Sequence, residues 1–166
     1  VTSPEVIKDV WLKVIEVSGK SDPLKEIKDE QNKKAFAVYP KAKESVLKSK
    51  DPFLEAMKLA IAGNSIDAMT DVKGESPEEI IKRWNQLKID NENFNILKER
   101  LKKTRRLVYL GDNCGEIVFD RLLIEVLLEM YHIEITFITR TLPILNDATL
   151  QDALSMGIGS VAKVME

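Results

Sequence analysis

Residues 107–120 read LVYLGDNCGEIVFD and join a short apolar stretch to a polar turn and then to a second apolar stretch. Leu107 to Leu110 is typical of a buried strand, because four consecutive apolar residues leave no polar side for an exposed helix turn. Asp112 and Asn113 follow this strand at once, and Glu116 stands where a long apolar helix pattern begins. The stretch therefore predicts a strand, a polar turn and a helix.

The chain downstream of this turn alternates helix and strand patterns. We predict a helix over 116–130, a strand over 133–139, a helix over 146–156 and a strand over 160–165. A β-α-β-α-β order is typical of a parallel sheet with right-handed crossovers and helices on its faces. Three strands are few for such a sheet. We therefore expect the core to be incomplete in this chain, and to be completed by a missing segment or a second chain.

The first hundred residues show helix patterns and no convincing strand. Four prolines follow a Ser or Asp, a combination typical of helix starts: Pro4, Pro23, Pro52 and Pro77. The second helix is expected to end at Pro40, which starts another helix, and a further helix is expected over 93–103. We predict a helical region over 1–103 and the first part of an α/β core over 104–166.

Composition excludes several classes of function. The 166 residues are 44% apolar and carry a formal net charge of −2, which gives no electrostatic reason to bind nucleic acid or an anionic membrane. No apolar run has the roughly 18–20 residues of a membrane span, and no secretion signal is visible, so a cytoplasmic location is expected. One cysteine and one histidine exclude an internal disulfide and a multi-Cys zinc site.

Polar residues follow two of the predicted strands where each strand ends. Asp112 and Asn113 follow the first strand, and Asn146 and Asp147 lie in the loop after the second. The carboxyl ends of parallel strands meet at one edge of the sheet, where ligands bind. Oxygen ligands suit Mg²⁺ or Mn²⁺, and free N–H groups at a strand-to-helix turn favour a phosphate. This combination suggests metal-assisted phosphoryl chemistry.

A simpler interpretation stays open for the same residues. Asp and Asn are favoured helix N-caps, so Asp112-Asn113 can equally cap the helix that follows, and spacing alone favours capping for Asn146-Asp147. Glu116 can simply interact with the helix dipole. Cys114 suits a tight turn as a small residue, and no histidine lies nearby in sequence to activate it.

The segment DNCGEIVFDRLL resembles the signature of the DUF89 family, the metal-dependent damage-control phosphatases. Three further segments strengthen the resemblance. DPFLEAMKLAIAGNSIDAM is similar to the family's Gly-Asn-x-x-Asp element, ITFITRTLPILNDAT to a downstream element, and DPLKEIKDEQNKKA to the archaeal and bacterial branch. The resemblance implies a helical N-terminal region followed by a Rossmann-like three-layer α/β/α core that hydrolyses phosphorylated metabolites, such as sugar phosphates or damaged cofactor forms.

The resemblance also implies which residues form the site. The expected ligands of a divalent cation, Mg²⁺ or Mn²⁺ with Co²⁺ or Ni²⁺ as alternatives, are Asp112, Asn113 and Asp147. Asn64 and Asp67 of the Gly-Asn-x-x-Asp element are expected near the substrate or phosphate, and Glu116 is expected to line or brace the site. Asp112, Asn113 and Glu116 are thus the expected catalytic residues, with water or Asp112 as the nucleophile.

The sequence departs from the family pattern in two places. The Cys-x-x-Cys segment with which this branch usually begins is absent, and so is a Lys-Gly motif whose lysine is expected to contact phosphate. A second interpretation therefore remains: the chain is a non-catalytic fragment, or a binding or scaffold module of a larger assembly.

Overall fold

The computed structural model describes residues 2–64 and 77–166 as helices followed by alternating strands and helices. The elements are α1 Ser3–Ser18, α2 Lys25–Leu47, α3 Pro52–Gly63, α4 Pro77–Gln86, α5 Asn91–Leu101, β1 Arg106–Leu110, α6 Glu116–Met130, β2 Glu134–Ile138, α7 Leu150–Ser155 and β3 Lys163–Met165. This order confirms the predicted α/β class with a helical N-terminal region. Across the described ranges, no helix combines the length and the apolar character that a membrane crossing requires.

The three strands form one parallel sheet in the order β1-β2-β3. Tyr109 lies opposite Phe137 in the register, and their rings stack with centroids 5.5 Å apart. All three carboxyl ends therefore meet at one edge of the sheet, as predicted. The last strand begins later than predicted, because residues Ile158–Ser160 form a turn of 3₁₀-helix first.

The two faces of the sheet differ in how they are covered. Ile135 and Phe137 are buried on one face, where the Tyr109 hydroxyl reaches helix α6. On the opposite face Val108 and Leu110 are 62% and 73% exposed. No element within residues 2–64 and 77–166 covers this face of β1, so the third layer of the expected α/β/α core is not seen there.

Helix α3 packs closely on α6 and brings the helical region to the sheet. A methyl group added at Gly63 would lie 2.7 Å from the Phe119 ring, so the glycine permits this close approach. Phe53 and Leu59 of α3 share one buried core with Phe119 and Ile124 of α6. Helical and α/β segments thus pack on a common core, and the division into two domains at 103/104 stays a prediction.

Pro40 does not end a helix, contrary to the prediction. Helix α2 runs unbroken from Lys25 to Leu47 with Pro40 inside it. An interior proline loses one backbone hydrogen bond and costs about 3 kcal/mol. The helix persists because both sides of Pro40 pack into the core, through Val38 and Tyr39 before it and Ala42 and Val46 after it.

Helix starts are shifted by one or two residues from the predicted ones. Thr2 rather than Ser3 is the N-cap of α1, in a capping box with Glu5. Helix α5 begins at Asn91, two residues early, because the Asp90 carboxylate accepts a hydrogen bond from the backbone of Glu92. Asp51 caps α3 as predicted.

Candidate active site

The loop after β2 lies directly against the turn after β1. Asn113 and Asp147 pair through an isolated antiparallel bridge. The backbone N–H of Ala148 donates to the carbonyl of Asp112 at 2.7 Å. These backbone bonds bring together residues that are more than thirty positions apart in the sequence. The two loops therefore present Asp112, Asn113 and Asp147 at the same edge of the sheet.

Neither Asp112, Asn113 nor Asp147 caps a helix. Gly115 is the N-cap of α6 and provides no side-chain cap. Helix α7 begins at Leu150, where Thr149 is the N-cap. The predicted start of this helix at 146 is wrong, because the loop before Thr149 is held by backbone bonds to the β1 turn and to the end of β2. The acidic side chains are therefore available for other interactions.

The candidate metal ligands lie on two loops that a backbone bridge joins. Asn113 Nδ2 donates to Asp112 Oδ2 at 3.3 Å, and both side chains are half-buried. Burial raises the pKa of Asp147, the nearby Arg140 opposes this, and the Asp112 carboxylate raises it further. Two carboxylates that interact in this way, beside an amide, suit a hard divalent cation. The described part of the chain contains no group of three or more His, Cys, Asp or Glu arranged for a metal, and the third candidate donor here is the amide oxygen of Asn113.

Glu116 connects this turn to the end of helix α3. Its Oε2 atom accepts a hydrogen bond from Asn64 Nδ2 at 2.8 Å. Burial raises the pKa of Glu116, the Asn64 bond lowers it, and the Asp112 carboxylate raises it again. The structure thus places Asn64 beside Glu116, and its proximity to a substrate or phosphate stays a prediction. Asp67 lies outside the described residues.

A buried acid that the site prediction left out lies one turn beyond Glu116. Asp120 Oδ1 accepts a 2.6 Å hydrogen bond from the Tyr109 hydroxyl, and its Oδ2 has no partner in the ranges that the structure describes. Burial, followed by the negative charge of Glu116, raises the pKa of Asp120 well above its ordinary value. The signal was in the sequence, since Asp120 interrupts an otherwise apolar face of α6.

Replacing Asp120 with Asn is expected to flatten the pH dependence of stability. The folded pKa lies above the unfolded value of about 3.9, so between the two the folded protein keeps a proton that the unfolded chain has lost. Stability therefore falls as pH rises from about 4 through this window. The variant should remove up to about 1.4 kcal/mol per pH unit from the slope, measured by urea unfolding from pH 4 to 8 without added metal.

Glu129→Gln, an exposed change on the same helix, is the control and should keep the wild-type slope. Asparagine can still accept the Tyr109 hydrogen bond, so the fold should be retained. An Asp120→Asn slope equal to that of the wild type would contradict a neutral Asp120.

Helix α2 contacts the turn after β1 through the side chain of Asn32. Asn32 Oδ1 accepts a 2.7 Å hydrogen bond from the backbone of Gly115, whose φ of +88° favours glycine. Burial, with Asp152 adding to it, raises the pKa of Cys114 to about 12, so this thiol stays protonated. In the sequence, Asn32 is marked only by its place in DPLKEIKDEQNKKA, a segment that resembles the family.

A cavity of about 390 Å³ opens at the carboxyl edge of the sheet. Its lining consists of Leu110, Gly111, Asp112, Ile138, Thr139 and Arg140. Arg140 was not predicted as a site residue, although its Nε donates to Asp147 Oδ2 at 2.9 Å. A larger cavity of about 710 Å³ lies between the α1–α2 connection and α7. None of the three candidate ligands lines this larger cavity, whereas Asp112 lines the smaller one.

Comparison with known proteins identifies relatives along almost the whole chain. A model of the damage-control phosphatase ARMT1-like domain matches residues 6–165. The uncharacterized protein MJ0202 of Methanocaldococcus jannaschii is 36% identical over 183 residues, covering 97% of this chain and 59% of its own. A damage-control phosphatase of Archaeoglobus fulgidus is 36% identical over 157 residues, covering 90% of this chain and 52% of its own.

A solved structure shares the fold. The crystal structure of the DUF89 family protein PH1575 from Pyrococcus horikoshii matches with a TM-score of 0.77 and 34% identity, over 94% of this chain and 54% of that one. The chain thus spans between half and three fifths of the length of these relatives.

Proposed function

The chain belongs to the DUF89 family of damage-control phosphatases with an ARMT1-like domain, and from this premise we propose that it takes part in metal-dependent hydrolysis of small phosphorylated metabolites. Two relatives, the Archaeoglobus fulgidus protein and PH1575 of Pyrococcus horikoshii, are named damage-control phosphatases. The expected substrates are phosphomonoesters, such as sugar phosphates or damaged phosphometabolites.

The backbone bridge between Asn113 and Asp147 is the observation that carries this proposal. It joins the loops that carry Asp112, Asn113 and Asp147, and Asp112 lines a cavity of ligand size. In a parallel sheet this edge is where ligands bind. The donor set consists of carboxylate and amide oxygens, which suits Mg²⁺ or Mn²⁺ and tolerates Co²⁺ or Ni²⁺.

The proposed ligands of the cation are Asp112, Asn113 and Asp147. When bound, such a cation supplies positive charge that polarises the phosphoryl group. Glu116 braces the site, because it holds the amide of Asn64 next to the turn. Asn64 and Asp67 are proposed to contact the phosphate or the rest of the substrate.

Metal removal tests the proposed reaction directly. We expect the chain to hydrolyse p-nitrophenyl phosphate or sugar phosphates with Mg²⁺, Mn²⁺, Co²⁺ or Ni²⁺, to lose this activity in excess chelator, and to regain it when the metal is restored. Phosphate release is the measurement. Hydrolysis that continues unchanged in chelator, or no hydrolysis with any of the four ions, would contradict the proposal.

A binding or scaffold role is the second candidate, and one observation favours it. The exposed apolar side chains of Val108 and Leu110 offer a surface for a further polypeptide, from the same protein or a second chain. Titration with Mn²⁺ separates the two functions. A scaffold should bind no Mn²⁺, whereas a phosphatase should show binding that Asp147→Asn removes.

A further inference from the structure

Arg140 is anchored at the candidate site by its backbone. It follows β2 by two residues, its N–H donates to the carbonyl of Ala148 at 3.2 Å, and it forms a parallel bridge with Thr149. The base of the side chain is therefore fixed beside the loop of Asp147.

The Arg140 side chain makes a single hydrogen bond among the described residues. Its Nε donates one hydrogen bond to Asp147 Oδ2, and within the described residues its two terminal amino groups have no partner. Arg140 is 61% exposed, whereas the Asp147 side chain is 16% exposed. Ion pairs with an exposed partner are weak, so little holds the guanidinium in this position.

Arg140 supplies positive charge to the cavity at the carboxyl edge. It is the cationic residue among the described residues that line this cavity, and Asp112 faces the same space. A guanidinium presents a planar fork of donors that matches phosphate oxygens. The cavity thus combines a proposed cation ligand with a group suited to a phosphate.

We propose that Arg140 is a phosphate-binding residue. Its guanidinium leaves Asp147 when this carboxylate turns to the cation, and the guanidinium then contacts the phosphoryl oxygens of the substrate. This inference rests on the proposed function. The opposite role is a fixed clamp that orients Asp147. The two roles differ in sign: losing a clamp weakens metal binding, whereas losing a competitor for Asp147 leaves metal binding unchanged or tighter.

Calorimetry on the chain distinguishes these roles without an activity assay. Mn²⁺ is titrated first, and inorganic phosphate is then titrated into the Mn²⁺-loaded protein. In Arg140→Ala the phosphate Kd should rise about 10- to 100-fold, with the Mn²⁺ Kd unchanged or lower. The phosphate Kd of Arg140→Lys should lie between those of the wild type and Arg140→Ala, because lysine keeps the positive charge but lacks the planar fork of donors. Arg106→Ala, an exposed change at the opposite end of the sheet, should match the wild type.

Three results would overturn this inference. They are an unchanged phosphate Kd in Arg140→Ala, a wild type that binds Mn²⁺ but no phosphate, and a tenfold or greater weakening of Mn²⁺ binding by Arg140→Ala, which indicates a clamp. In each of them the metal site itself stands. A wild type that binds no Mn²⁺ would instead refute the proposed function, and with it the inference that rests on it.

Discussion

Replacing Asp112 with Asn is expected to lower kcat/KM for phosphomonoester hydrolysis about a thousandfold or more. The change keeps the size of the side chain and removes one of the two carboxylates at the proposed cation site, beside the pair of Asn113 and Asp147. A cation stabilises developing charge by several kcal/mol, and losing about 4 kcal/mol corresponds to about a thousandfold. Initial rates with saturating Mn²⁺ are the measurement.

Asp90→Asn is the matched control for this substitution. Asp90 caps α5 away from the site, and asparagine caps a helix about as well as aspartate. The control should retain wild-type rates, and both variants should keep the wild-type unfolding temperature within a few degrees. Activity of Asp112→Asn within tenfold of the wild type would remove Asp112 from the proposed machinery.

Replacing Lys28 with Met is expected to cause the largest loss of stability. Lys28 is fully buried and its Nζ lies 2.7 Å from Asp152 and 2.8 Å from Asp22. Burial lowers the pKa of Lys28, but its bonds to the two carboxylates more than offset this and raise it. Removing one partner of a buried pair costs about 3–5 kcal/mol, because the other charge is left uncompensated.

Thermal unfolding measures this effect. At about 2–4 °C per kcal/mol the midpoint should fall by roughly 6–20 °C. Adding Asp152→Asn to Lys28→Met should recover part of the loss, since it removes a buried charge whose remaining cationic partner is Lys25 at 3.6 Å. Lys13→Met, in an exposed pair with Glu16, should change the midpoint little. A midpoint unchanged by Lys28→Met would show that this buried cluster contributes nothing to stability.

Local sequence signals were sufficient for β1, its turn and α6. An apolar run, a polar turn and an apolar helix pattern do not depend on distant contacts, so α6 was predicted with its observed bounds, Glu116–Met130. The predicted helix end at Pro40 is wrong because packing of α2 on the core outweighs the free-energy cost of an interior proline. No local sequence pattern reveals this packing. Tertiary packing, rather than local helix propensity, therefore determines that α2 continues through Pro40.

The candidate site depends on contacts between loops that are distant in sequence. Asn146 and Asp147 have the composition of a helix cap, and spacing favoured that interpretation. The Thr149–Asp152 capping box moves the helix start to Leu150, so the residues before it pair with the β1 turn. Arg140 had no local motif to mark it, and its place beside Asp147 became visible only once the two loops were brought together.

A crystal of the chain grown with Mn²⁺, with anomalous diffraction recorded at the manganese edge, tests the central claim most directly. The proposed site predicts a peak between Asp112, Asn113 and Asp147, with an oxygen of each side chain within bonding distance of the ion. A manganese peak elsewhere, or no peak at these three residues at saturating Mn²⁺, would contradict the assignment of this edge of the sheet as the metal site.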